Sequence, residues 1–136
     1  MRDINKIILH CSASDVDSYD FHAITKDHLA RGWIDIGYHY GIDYDGDIHI
    51  LRPIKTQGAH TKGHNSGSIG ICILGLHRFS HTQVEQCAKL VLNMMQIFDL
   101  TSKDVYGHYE FTKNKTCPNI DMDMFRDVYL ESDEWL

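Results

Sequence analysis

With 136 residues, 43% hydrophobic and 24% charged, the chain is long enough to bury its own core as one domain, residues 1–136, without a metal merely to hold the fold. Its net charge of −6 and the lack of any basic block argue against a nucleic-acid partner, because nothing gathers to neutralise phosphates. No apolar run reaches membrane-span length and no N-terminal stretch matches a signal peptide. The expectation is therefore a monomer made in the cytosol with reduced thiols and not inserted in a membrane.

In chain order, Ile4 to His10 is apolar and β-branched and reads as a buried strand with His10 at its C-terminal end, where sites gather in α/β sheets. A polar loop, Cys11 to Asp20, leads into a helix over Tyr19 to Arg31, with Asp20 as N-cap and Gly32 as stop. Phe21, Ile24, His28 and Arg31 share one side of it at helical spacing. Gly37 to Asp43 and Asp47 to Leu51 flank Asp45-Gly46, a hairpin signal. Pro53 to Ser66 is a long polar segment, of the kind that is often functional in a compact domain. Ser68 to Gly75 reads as a second core strand.

A long helix follows over Thr82 to Phe98, with Val84, Cys87, Ala88, Val91, Met95 and Phe98 as its apolar stripe and Thr82-Gln83-Val84-Glu85 as a capping box. Val105 and Tyr106 form a short strand that delivers His108, and Asp121 caps a closing helix to Leu130. The expected fold class is α/β, a single domain with a central mixed β-sheet flanked by helices. The candidate site lies at one edge of a groove.

Ten histidines is a high count, while Cys11, Cys72, Cys87 and Cys117 form no C-x-x-C pair, which speaks against a zinc ribbon or a thioredoxin-type site. His108 and Cys117 stand nine residues apart, so an irregular loop has to bring them together. Taken with His10, they make two imidazoles and a thiolate, a set that suits zinc and leaves a fourth position for water. Zinc lowers the pKa of such a water from about 15.7 to near 7. Spacing alone does not require the three to meet. Singly, a strand-end His is more often a core or rim residue, and a Cys before Pro a small buried hydrophobe.

Four blocks add to this reading. They are Ile7-Ile8-Leu9-His10-Cys11-Ser12, Gly32 to Tyr40 (G-W-I-D-I-G-Y-H-Y), Gly58 to Ile71 (G-A-H-T-K-G-H-N-S-G-S-I-G-I), and Gly107-His108 through Lys115-Thr116-Cys117-Pro118. Together, and in this order, the chain resembles the phage-lysozyme-type N-acetylmuramoyl-L-alanine amidases, which share a fold with the peptidoglycan recognition proteins. The resemblance implies zinc (Zn2+) held by His10, His108 and Cys117. It implies a catalytic Tyr38 that hydrogen-bonds the attacking water, and a catalytic Lys115 that stabilises the oxyanion. It also implies substrate contacts from His60, Thr61 and Asn65 and from Arg31, the last pairing with a stem-peptide carboxylate.

For Arg31 the alternative is a helix-terminal Arg favoured by the dipole, and His39, on the face opposite Tyr38, is expected to be structural. His64 is a candidate for the groove rim. The implied activity is zinc-dependent cleavage of the amide between N-acetylmuramic acid and L-alanine in peptidoglycan. It would be an endolysin-like, antimicrobial cell-wall degradation of phage or prophage type, acting after release from the cytosol. Recycling-type amidases place an Asp where Cys117 stands, and the non-catalytic recognition proteins lack that Cys, so the resemblance favours the lytic branch. A muropeptide-binding module and an amidase of soluble muropeptides are the alternatives.

Overall fold

The computed structural model describes residues 1–136. Five strands form one sheet: β1 (Lys6–Cys11), β2 (Tyr40–Ile42), β3 (Ile48–Ile50), β4 (Ser68–Ile73) and β5 (Val105–Gly107), in the order β3-β2-β4-β1-β5. Only the β2–β3 hairpin is antiparallel. The β1–β4, β1–β5 and β2–β4 pairs are parallel, so the sheet is mixed, as expected. β1 and β4 occupy its interior and are covered on both faces, which is why they read as near-continuous apolar runs.

Alternation along the strands sorts the residues onto two faces. Ile7, Leu9, Ile69, Ile71, Ile73 and Val105 pack with Cys87, Ala88, Leu90 and Val91 of α2 (His81–Phe98) and with Phe125. Phe125 ends α3 (Met122–Phe125), which runs on as a π-helical turn over Arg126–Leu130. On the other face Cys72 and Leu74 meet Phe21 and Ile24 of α1 (Phe21–Ala30). His10 pairs in register with Cys72 and follows Ile8 by two, so it shares the α1 face.

The caps at Asp20 and Asp121 are as read, each side chain accepting from the backbone N–H three residues on. The cap of α2 is a correction. Ser80, not Thr82, exchanges hydrogen bonds with the residue three ahead, Gln83. Thr82 is already helical, and its methyl stands where a Cβ on Gly46 would fall, 2.6 Å away. The stripe of α2 is also turned slightly, since Leu90 and Met94 are buried while Met95 and Phe98 only border the core. The hairpin strands are shorter than expected, and Tyr38 lies before β2. There Gly37 is so close to the Ala59 carbonyl that a Cβ would sit 2.1 Å from its oxygen, and the chain bends around that contact.

Candidate metal centre and active site

Three elements deliver the site. His10 is the penultimate residue of β1 and is 1% exposed. β5 pairs with β1 through Leu9↔Gly107, so the next residue, His108, stands beside His10, with ring centroids 4.7 Å apart. The intervening loop is then folded back. Tyr109 N–H donates to the Cys117 carbonyl at 2.9 Å. Glu110 accepts from Gly107 N–H and takes Arg126 in a two-pronged ion pair at 2.9 and 3.0 Å, which pins the turn to the closing helix. Asn119 Nδ2 donates to the Leu76 carbonyl at 2.7 Å, holding the far side of the loop.

The result is a compact donor set. Ligand atoms of His10, His108 and Cys117 all lie within 4.8 Å of one another. His10 Nδ1 is 3.9 Å from Cys117 Sγ, close to the separation of about 3.5 Å that a tetrahedral zinc imposes on N and S ligands. Two imidazoles and a thiol at this spacing fit zinc. Burial lowers the pKa of His10 well below its ordinary value, with His60 and His108 adding to it, and burial followed by Lys115 lowers that of His108. Both rings are therefore neutral and keep a lone pair to offer. The neighbouring Cys11 and Cys117 thiols act on each other as a pair, which eases loss of the first proton, bringing Cys11 to about 7, and opposes loss of the second. The Cys11 backbone N–H, 3.2 Å from Cys117 Sγ, favours the charge on Cys117.

The donors open on a cavity of about 290 Å³ that is also lined by Tyr38, Lys115, Arg31 and His28. The Tyr38 ring lies 5.1 Å from that of His10. Burial, with the neighbouring thiols, raises the Tyr38 pKa well above its ordinary value, so its phenol keeps its proton at neutral pH. Lys115 is exposed at the mouth. Arg31 is the C-cap residue of α1, stacks over Trp33 at 5.6 Å and lines the cavity.

The profile of the N-acetylmuramoyl-L-alanine amidase family matches residues 1–120. The chain belongs to this family. It is 28% identical over 130 residues to the endolysin of Klebsiella phage KP32, covering 89% of this chain and 84% of that one. Among solved structures it is similar to the N-acetylmuramoyl-L-alanine amidase LysC from Clostridium intestinale, with TM-score 0.83 and 26% identity over 93% of this chain and 85% of that one. The ectodomain complex of peptidoglycan recognition proteins LCa and LCx bound to tracheal cytotoxin gives TM-score 0.79 and 26% identity, with 95% and 85% covered.

Within this amidase-family fold the Pro53–Ser66 segment is not a simple groove wall. Asn65 Oδ1 accepts from the N–H groups of His60 and Thr61 at 2.9 and 2.8 Å, leaving its Nδ2 as the group to present outward. Thr61 departs from the expectation of a side-chain substrate contact. It is 1% exposed, and its hydroxyl is turned to His10 Nε2 and His60 Nδ1 at 3.2 and 3.0 Å. His60 reaches His10 Nε2 at 2.9 Å, and burial lowers its pKa to about 3. Its outer edge still borders both the main cavity and a shallower depression shared with Trp33, Lys62 and Asn65. His64 packs on Phe111 at 4.3 Å, joining this segment to the His108 loop.

His39 is structural, as read: it accepts from Gly70 N–H at 3.0 Å and its Nε2 lies 2.7 Å from the Thr56 carbonyl. One histidine that sequence reasoning left without a role, His28, lines the cavity. Its Nδ1 accepts from Gly37 N–H at 3.0 Å and its ring packs on Trp33, so Nε2 carries the proton at the cavity wall. Its position on the Phe21–Ile24–Arg31 side of α1 was the available signal. No helix is long and apolar enough to cross a membrane.

Proposed function

We propose that the chain is a zinc-dependent N-acetylmuramoyl-L-alanine amidase. It hydrolyses the amide between the lactyl group of N-acetylmuramic acid and L-alanine of peptidoglycan, acting on the cell wall after release in the manner of an endolysin. The observation that carries this reading is the His10, His108 and Cys117 donor set within 4.8 Å, opening on a cavity that also holds Tyr38 and Lys115. The family match and the similarity to a phage endolysin support the substrate class.

Zinc held by His10, His108 and Cys117 supplies Lewis acidity, making water nucleophilic near neutral pH and polarising the scissile carbonyl. The chain's own groups do the rest. Tyr38 keeps its phenolic proton and donates a hydrogen bond that orients the attacking oxygen. Lys115 Nζ, at the cavity mouth, offsets the negative charge that develops on the carbonyl oxygen. Arg31 pairs with a stem-peptide carboxylate, while Asn65 Nδ2 and the outer edge of His60 border the path of the sugar and peptide.

The test is release of free alanine amine from purified peptidoglycan, with chelator and with zinc restored. Amine release that the chelator abolishes and zinc returns is the expected result. A folded, zinc-loaded protein that releases none overturns the enzymatic reading in favour of muropeptide binding without cleavage. A Lys115→Ala enzyme should keep its zinc and lose about 10²-fold in kcat, the lower end of the cost of one oxyanion donor, because an exposed ammonium is partly replaced by water. Single-turnover rates and metal content measure this, and an unchanged kcat removes Lys115 from the reaction.

A further inference from the structure

The atoms behind His10 form a chain of hydrogen bonds whose direction is set at its far end. The Asn65 backbone carbonyl only accepts, and the Ser68 hydroxyl lies 3.3 Å from it. The same carbonyl also accepts from Ser68 N–H at 3.4 Å, and a hydroxyl proton turned elsewhere would set the lone pairs of two oxygens against each other at 3.3 Å, at an unfavourable cost. Ser68 Oγ therefore donates to Asn65 and accepts from His60 Nε2, 3.2 Å away. With the His60 proton on Nε2, its Nδ1 is left to accept, from the Thr61 hydroxyl at 3.0 Å and from His10 Nε2 at 2.9 Å. His10 must then carry its proton on Nε2, which leaves Nδ1 bare, and Nδ1 is the atom that faces Cys117 Sγ. The opposite direction of the chain would put the proton on Nδ1 and disarm the ligand.

We propose that His60, backed by Ser68 and Thr61, is a positioning residue that fixes the tautomer and ring orientation of His10 for metal binding. This rests on the zinc reading above and adds to it the group that makes His10 a competent ligand. The site is built for the purpose. Added Cβ atoms on Gly58 and Gly70 would fall 2.7 and 2.6 Å from the His60 ring, so two glycines form a close-fitting slot that holds the imidazole in one orientation. The Asn65 side chain fixes the backbone from which His60 and Thr61 project. Outer groups of this kind typically change metal affinity by about 10–100-fold when lost.

The experiment uses the full chain and measures zinc affinity by competition with a chromophoric chelator, together with the visible spectrum of the cobalt-substituted protein. His60→Phe keeps an aromatic ring in the slot but removes the acceptor, and it should weaken zinc by about 10–100-fold and alter the cobalt ligand-field bands. His60→Asn, whose Oδ1 can stand in for Nδ1 as acceptor, should recover most of the affinity. Ser68→Ala deletes one oxygen that touches no ligand, and it should weaken zinc severalfold with the fold intact by thermal unfolding. Wild-type protein that takes up one zinc, with His60→Phe and Ser68→Ala matching it in affinity and spectrum, overturns this assignment alone. Wild-type protein that takes up neither zinc nor cobalt overturns the zinc reading and the assignment together.

Discussion

A Cys117→Ser protein should fold, fail to retain zinc and release no alanine amine from peptidoglycan. Serine keeps the size of the side chain and the loop closure, because that closure runs through the Cys117 backbone carbonyl and Tyr109 N–H. It does not supply a thiolate, and a hydroxyl stays protonated where a thiol next to zinc does not. Two neutral imidazoles then remain, His10 and His108. The loss in zinc affinity should exceed the roughly 10–100-fold that follows removal of an outer-shell partner. Chelator competition and metal content after dialysis provide the measurement. Cys11→Ser is the companion, since Cys11 meets Cys117 Sγ through its backbone N–H, and it should keep one zinc. Equal zinc retention in wild type and Cys117→Ser would remove Cys117 from the ligand set.

The second large effect is expected at Tyr38. A Tyr38→Phe enzyme should bind zinc and substrate like the wild type and lose about 10²–10⁴-fold in kcat, the usual weight of a positioned proton-bearing group. The ring would still fill its place beside His10 and His28, so packing is preserved and only the phenolic oxygen is removed. Because burial holds that phenol protonated, its part is to donate a hydrogen bond rather than to act as a phenolate base. The neutral-pH limb of the rate profile should accordingly survive the substitution while the plateau falls. Steady-state kinetics with zinc titrated alongside would separate the two quantities, and parallel losses in kcat and zinc affinity would mean that Tyr38 supports the metal rather than the reaction.

Much of this protein is written in local signals. The β-branched run ending at His10, the Asp20 and Asp121 caps and the apolar period of α2 are all interactions between residues a few positions apart. The four blocks that carry the family resemblance are short stretches of the same kind, and they pointed to the residues that converge on the cavity. What they could not state is position relative to one another. His10 and His108 are neighbours only because β5 pairs with β1 in parallel, with Leu9 opposite Gly107, and a parallel pairing is made across a long crossover that leaves no mark in either strand.

The same limit explains the corrections. Thr61 reads as a polar loop residue, yet the sheet brings His10 beneath it and turns its hydroxyl inward. Ser80 rather than Thr82 caps α2, with the Thr82 methyl standing against the turn at Gly46. Sequence by itself determined the elements, the family and the types of chemical group available, because those depend on side-chain chemistry and short-range geometry. Tertiary structure alone decided which nitrogen of His10 faces Cys117 and what stands behind the other, because that depends on contacts between residues 50 and 107 positions apart.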